Sequence, residues 1–230
     1  MDIPARHPAP VLVSLLLVGA AVLVAAASWL RWASVCPIGR DWGTAACQTR
    51  QDHRFDMLPV TPPWDADPTW SLLAGLGLVL LGMALLLLPR VLPARRWQRS
   101  ALVVATIGPL VEGSAAALSG VLGRVVEVPV HALVVYLWVL ALPVALLLMI
   151  PGPAVAGPRR GLVLAALVLA TPLPQVLFVS RFLVPYTSYD TAPWSDATVA
   201  PCLLVAALAI RPWRSRSDFS NQQRAHSLSL

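Results

Sequence analysis

Six apolar stretches, each close to the length that a helix needs to cross a bilayer, alternate with short polar loops along this chain. Because about 20 helical residues cross about 30 Å of hydrocarbon, the pattern predicts an all-α, polytopic membrane protein. We place six transmembrane helices at residues 10–30, 70–88, 101–123, 130–150, 161–180 and 194–210. Together they form one predicted domain, residues 1–211, followed by a basic tail, residues 212–230, that we expect to be disordered.

Composition places most of the chain in lipid and argues against nucleic acid as a partner. Of 230 residues, 57% are hydrophobic and 12% are charged, whereas soluble domains carry about 25% charged residues. All 17 basic residues are arginines, and they are spread over short loops instead of covering one exposed face. The bilayer is therefore the principal predicted partner.

The distribution of arginines predicts the orientation. Positive charges concentrate on the cytoplasmic side of short-looped membrane proteins. One side of the predicted bundle has eleven arginines and two acidic residues, and the other has six arginines and eight acidic residues. Both termini are therefore predicted in the cytoplasm. The use of arginine without lysine, with a surplus of alanine, proline, valine and leucine, is typical of a GC-rich bacterial genome, so we expect a bacterial cytoplasmic membrane. The eleven arginines are Arg6, Arg90, Arg95, Arg96, Arg99, Arg159, Arg160, Arg211, Arg214, Arg216 and Arg224.

The first apolar stretch has a second interpretation, as a secretory signal. Arg6 precedes it, and Ala25-Ala26-Ala27 is similar to a signal-peptidase cleavage site. The stretch is longer than a typical signal core and continues through Trp29 and Leu30, so we expect it to remain as a membrane span.

The extracytoplasmic loop, residues 31–69, contains Cys36 and Cys47. On an oxidising side of the membrane this pair predicts a disulfide, and a loop of about a dozen residues makes it worth about 2 to 3 kcal/mol. A redox-active pair is the alternative, but the spacing is not Cys-x-x-Cys. Residues 59–68 of the same loop are proline-rich and are predicted to be extended.

Glu112 is the residue with the clearest potential for chemistry, because it lies about 17 Å into the third span, near the middle of the bilayer. A carboxylate there costs about 2 to 3 kcal/mol or more unless it is protonated, paired or hydrated. The adjacent Gly108-Pro109 pair predicts a bent or locally opened helix.

The fifth span is interrupted at a similar depth by the sequence 171–175, in which Pro172 and Pro174 leave backbone carbonyls without donors. Interrupted spans are typical of midplane binding sites in transporters. We therefore consider a polar ion or substrate site formed by Glu112, Ser114, Thr171 and Gln175. The alternative is that Glu112 bonds Gln175 or Thr171 across helices and only fixes the packing.

Two further patterns are weaker. Glu127 and His131 are four residues apart and are candidate metal ligands, but Pro129 lies between them and a third ligand is not evident. We therefore predict no metal and no cofactor. Gly75 and Gly82, at heptad spacing in the second span, favour close helix packing.

Three clustered arginines before the third span, Arg95, Arg96 and Arg99, favour contact with anionic lipid headgroups. The sequence contains no nucleotide-binding, protease, kinase or zinc signature. The leading hypothesis for function is therefore a non-enzymatic accessory or structural subunit bound to a larger membrane protein. The alternatives are a small permease with a proton- or cation-linked site at Glu112, and a membrane thiol-disulfide oxidoreductase.

Overall fold

The computed structural model describes residues 8–38, 42–51, 69–92, 94–150, 157–175, 177 and 193–210. Within those ranges every regular element is a helix. The predicted proline-rich strip at residues 59–68 and the basic tail lie outside the described residues.

Nine α-helices are distinguished in the described part of the chain, and several are joined by shorter turns. They are α1 (Ala9–Trp32), α2 (Ala45–Gln51), α3 (Trp70–Leu87), α4 (Arg96–Leu122), α5 (His131–Tyr136), α6 (Leu142–Leu148), α7 (Gly157–Leu169), α8 (Pro172–Pro174) and α9 (Val199–Ile210). A 3-10 turn, Leu88–Arg90, extends α3, a π-helical turn, Leu137–Ala141, joins α5 to α6, and a 3-10 turn, Asp196–Thr198, precedes α9.

Four helical segments are long and apolar enough to cross a membrane, and they coincide with the first four predicted spans. They are Ala9–Trp32, Trp70–Arg90, Arg96–Leu122 and His131–Leu148. A shorter apolar helix, Asp196–Ile210, coincides with the sixth predicted span. Within the fifth predicted span, residues 161–169 belong to α7 and residues 172–174 to the short α8, whereas residues 176 and 178–180 lie outside the described residues.

The long helices pack side by side in a closed ring. Helix α4 packs on α3, α3 on α1, α1 on α9, α9 on α7, α7 on α6, and α6 returns to α4. The first and last described helices are therefore neighbours, and a buried hydrogen bond from Ser14 Oγ to the carbonyl of Ala207 joins them at 3.0 Å. The core inside the ring consists mainly of leucine, alanine and valine side chains.

The ring has two distinct ends. One end, which we call the cystine end, contains the end of α1, the start of α9 and the cysteine pair Cys36 and Cys47. The other, which we call the arginine end, contains the start of α4 and the start of α7, with Arg95, Arg96, Arg99, Arg159 and Arg160.

Side chains at the arginine end satisfy the carbonyls that α6 leaves open. The last carbonyls of a helix have no partner within the helix and must find one elsewhere. Gln98 Nε2 donates to the Leu148 carbonyl at 2.6 Å, and the buried Arg160 guanidinium donates to the Met149 carbonyl, with Nε at 3.0 Å. A cation is also favoured at a helix C-terminus. These bonds fix α4, α6 and α7 to one another.

Glycines allow α3 and α4 to approach with their backbones in contact. A Cβ added to Gly75 would lie 2.3 Å from the backbone nitrogen of Ala117, and one added to Gly113 would lie 2.8 Å from the carbonyl oxygen of Gly75. Such small-residue contacts are a principal source of helix association in lipid. The predicted close packing at Gly75 is therefore confirmed, whereas a Cβ on Gly82 would meet the flexible side chain of Leu110.

Replacement of Gly75 by alanine is expected to force α3 and α4 apart and to lower the free energy of unfolding by about 1 to 3 kcal/mol, the usual cost of overpacking. The measurement is the thermal midpoint of the purified protein in mild detergent. Gly161→Ala is the matched control, because a Cβ there has open space. Equal stability of the two variants would contradict a tight α3–α4 contact.

Candidate functional site

Glu112 lies in the middle of α4 and faces His131, the first residue of α5. The imidazole Nδ1 is 3.3 Å from the carboxylate Oε1, a separation that fits an ion pair. The carboxylate oxygen has no aligned hydrogen-bond donor, so the contact is electrostatic. The Glu112 side chain is 7% exposed and that of His131 is 31% exposed. The carboxylate is thus enclosed, and its imidazole partner extends toward the surface.

A second close approach of helices positions this pair. A Cβ on Gly108 would lie 2.5 Å from the backbone nitrogen of Trp138, so α4 contacts the π-helical turn through its backbone. Glu112 follows Gly108 by four residues and His131 precedes Trp138 by seven, so each lies on the same helical face as the contact residue. The missing side chain at Gly108 therefore brings the carboxylate within reach of the imidazole.

The backbone immediately before His131 is unusual. Val130 has φ 56° and ψ 36°, in the left-handed region that β-branched residues rarely occupy. The chain turns sharply there into α5, and the loop before it is held to α4 by a hydrogen bond from the Val126 amide to Ser119 Oγ at 2.9 Å. Such local strain is most often found at functional sites, as are π-helical turns.

Ser114, the second residue of the predicted polar site, is exposed on the outer face of α4. Its hydroxyl donates to the Leu110 carbonyl of its own helix at 2.7 Å. This is the usual way in which a serine satisfies itself in a membrane helix.

Thr171 and Gln175 occupy the interruption between α7 and α8 that the prolines predict. Thr171 Oγ1 donates to the Val168 carbonyl at 2.6 Å, and Gln175 Nε2 donates to the Leu169 carbonyl at 2.7 Å. The Gln175 carbonyl oxygen accepts from the hydroxyl of Thr198, at the start of α9. The side chains that we considered as substrate ligands therefore satisfy the carbonyls at the helix break and join α8 to α9.

A second buried polar cluster lies at the cystine end, around Asp196. Its Oδ1 accepts from Ser28 Oγ at 2.8 Å and from the Trp32 indole nitrogen at 3.0 Å. The Arg31 guanidinium stacks on the Trp32 ring, with Cζ 4.2 Å from the ring centroid. All four residues are buried. The carboxylate thus holds α9 against the last turn of α1.

The predicted disulfide between Cys36 and Cys47 is present, and it belongs to the same end of the bundle. Both cysteines are 0% exposed. The carbonyl of Cys36 accepts a hydrogen bond from the Trp194 indole at 2.6 Å, and the Trp194 ring meets Trp29 edge to face with centroids 5.9 Å apart. The disulfide therefore secures α2 to the segment after α1, and the Trp194 contacts join that segment to the turn before α9.

The weak metal candidates do not share a helix face. Glu127 lies in the loop before α5 and is exposed, whereas His131 begins α5 and faces Glu112. Over the described ranges, three or more histidine, cysteine, aspartate or glutamate side chains do not come together in a way that could hold a metal ion.

The arginines that we assigned to lipid headgroups are exposed at the arginine end. Arg95, Arg96 and Arg99 lie around the first turn of α4, and Trp97 is exposed among them. Arg99 Nε also donates to the Ala94 carbonyl at 3.0 Å. This arrangement suits the headgroup region, where indole rings and guanidinium groups both concentrate.

Reasoning from the sequence does not find two side-chain partners, His131 for Glu112 and Asp196 for the polar groups of α1. His131 was considered only with Glu127, because spacing along one helix cannot reveal a contact between two helices. Asp196 was counted as a loop charge, although it falls inside the predicted sixth span. An acidic residue within a span is a signal in itself, since it needs a partner there.

Comparison of the chain with protein-family models, with curated proteins and with solved structures finds no match.

Replacement of Asp196 by alanine is expected to leave two buried donors, Ser28 and Trp32, without their acceptor. Each stranded donor costs about 1 to 3 kcal/mol, so the thermal midpoint in detergent should fall clearly. Asp196→Asn is the matched variant, since it keeps one acceptor oxygen and should lose less. If alanine and asparagine gave the same midpoint as the parent, Asp196 would not hold α1 and α9 together.

Proposed function

We propose that this chain is a non-enzymatic accessory or structural subunit of a larger membrane complex. In this proposal it forms six spans in a bacterial cytoplasmic membrane, with both termini in the cytoplasm. The arginine end then faces the cytoplasm, where anionic headgroups attract Arg95, Arg96 and Arg99. The cystine end faces the oxidising side, which agrees with its disulfide.

The observation that carries the proposal is the uncovered face of the fourth span, His131–Leu148. A third of its residues are buried inside the molecule (33%), against 44%, 56% and 50% for the first three spans. Its exposed large side chains recur at intervals of three and four residues: Leu133, Tyr136, Leu140, Val144 and Leu147. We call this row the fourth-span stripe. Intervals of three and four are those with which a second helix packs alongside.

Three buried polar side chains that are hydrogen-bonded to other segments of the chain support a structural role. Asp196 is bonded to α1, Gln175 to Thr198, and Arg160 to the end of α6. In each case the partner comes from another segment, so the polar groups join helices. A buried pair of cysteines is also poorly placed to exchange with a thiol substrate, so the structural disulfide is favoured over an oxidoreductase.

The fourth-span stripe predicts where a partner helix binds. Leu140→Trp should insert a bulky ring into that contact and reduce the co-purified partner at least about tenfold, which corresponds to about 1.4 kcal/mol. The measurement is quantitative mass spectrometry of protein purified from native membranes in mild detergent.

Leu15→Trp is the matched control, because Leu15 is an exposed leucine on α1, which packs on α3 and α9 instead of on the fourth span. The proposal is wrong if no stoichiometric partner co-purifies with the parent protein, or if both tryptophan variants retain the partner equally.

A proton- or cation-linked permease is the second candidate, and the Glu112–His131 contact is the observation that favours it. Two titratable groups in contact between neighbouring spans are typical of proton relays. In this case a Glu112→Gln variant that is as stable as the parent should lose ion-dependent uptake in liposomes. An accessory subunit, by contrast, should retain its partner when Glu112 is replaced by glutamine.

A further inference from the structure

We propose that Glu112 and His131 form a single proton-binding unit that exchanges protons with the cystine end of the bundle, through His131. The proposal assigns a site and its side of access. It does not depend on whether the chain is an accessory subunit or a permease.

The immediate surroundings of Glu112 leave His131 as its titratable neighbour. Helix α3, the π-helical turn and α6 have no titratable side chain. Helix α5 contributes His131 and Tyr136, and Tyr136 is exposed on the fourth-span stripe. The loop before α5 contributes Arg124 and Glu127, both of which are exposed. Among the described elements around Glu112, His131 is therefore the titratable group in contact with its carboxylate, at 3.3 Å.

Charge balance favours one proton on this pair. With one proton, the unit is neutral overall, either as carboxylic acid with neutral imidazole or as carboxylate with imidazolium. With no proton it has a net charge of −1, and with two protons it has a net charge of +1. A net charge in an apolar interior is costly, so the singly protonated form has a wide range of stability. Because the two groups are in contact, their protons belong to the pair and not to either residue.

The exposed fraction of the two side chains indicates the route. Glu112 is 7% exposed and has sixteen residues of α4 between it and the start of that helix at the arginine end, a distance of about 24 Å at 1.5 Å per residue. His131 is 31% exposed and begins α5 at the cystine end, directly after the loop bonded to Ser119. The imidazole is thus the member of the pair that reaches the surface.

The local backbone keeps the imidazole in this place. Val130, in its left-handed conformation, sets the direction in which α5 begins, and Gly108 sets the distance between α4 and Trp138. A proton from the cystine end would first bind the imidazole and then pass to the carboxylate oxygen, with no other titratable group of the described elements between them.

The test is covalent labelling of Glu112 by dicyclohexylcarbodiimide, a membrane-soluble reagent that adds to protonated carboxyl groups. The full-length protein is reconstituted in liposomes, and the pH is set independently inside and outside. A Ser100→Cys variant, which places a thiol at the exposed arginine end, reports orientation through an impermeant maleimide. Labelling of Glu112 is followed by peptide mass spectrometry, with Glu112→Gln as the blank.

The expected result is that the labelling rate follows the pH at the cystine end. On the alkaline limb it should fall about tenfold for each pH unit, as binding of one proton requires. It should stay unchanged when only the pH at the arginine end is altered. Labelling that follows the arginine end, or both ends equally, would overturn the proposed access.

A second variant tests the role of His131 as a positioning residue. His131→Gln keeps a polar side chain but cannot titrate, so the response of Glu112 labelling to pH at the cystine end should shift by at least one pH unit. Tyr136→Phe on the same helix is the control and should leave the response unchanged. A response identical to the parent in His131→Gln would show that the carboxylate binds its proton independently. If His131→Gln fails to fold, the side of the bilayer whose pH controls Glu112 labelling in the parent protein still identifies the side from which the proton binds.

Discussion

The direct contact of helix backbones on two faces of α4 is the constraint on which the rest of the structure depends. Gly113 and Gly120 meet α3, and Gly108 meets the π-helical turn of the fourth span. In lipid, apolar side chains gain little by leaving the solvent, so close packing must supply much of the association. Because the backbones touch, side chains beside these contacts have little freedom of position. The placement of Glu112 beside His131 is a consequence of this packing.

Several buried polar residues of the bundle join one segment to another. Asp196 connects α9 to α1, Gln175 connects the end of α8 to the turn before α9, and Arg160 connects α7 to α6. Each uses a carboxylate, an amide or a guanidinium to satisfy a donor or a carbonyl that lipid could not satisfy. The Glu112–His131 pair differs from these, because both of its members can change charge and one of them reaches the surface. That difference makes the Glu112–His131 pair a candidate site, whereas the other three groups only hold helices together.

Much of the architecture can be predicted from the apolar pattern of the sequence, but the contact between Glu112 and His131 cannot. Length and hydropathy predicted the first four spans, and the position of Cys36 and Cys47 in one loop predicted their disulfide. The break at Thr171 followed from its prolines, since they remove backbone donors. Pairing between helices depends on the rotation and depth of each helix, which periodicity within one helix does not contain. For this reason Glu112 was considered with Gln175, whereas its observed neighbour is His131.

The closed ring has a consequence for how the protein is made. The bonds from Ser14 to Ala207 and from Ser28 to Asp196 join residues 193 and 168 positions apart. A membrane protein is inserted from its N-terminus, so α1 enters the bilayer long before α9 has been synthesised. Ser14, Ser28 and Trp32 therefore lack their final hydrogen-bond acceptors, in the membrane or bound to an insertion factor, until α9 has been synthesised. Closure of this ring is therefore a late event that requires α9, and a ribosome that stops before Asp196 leaves a product that cannot close.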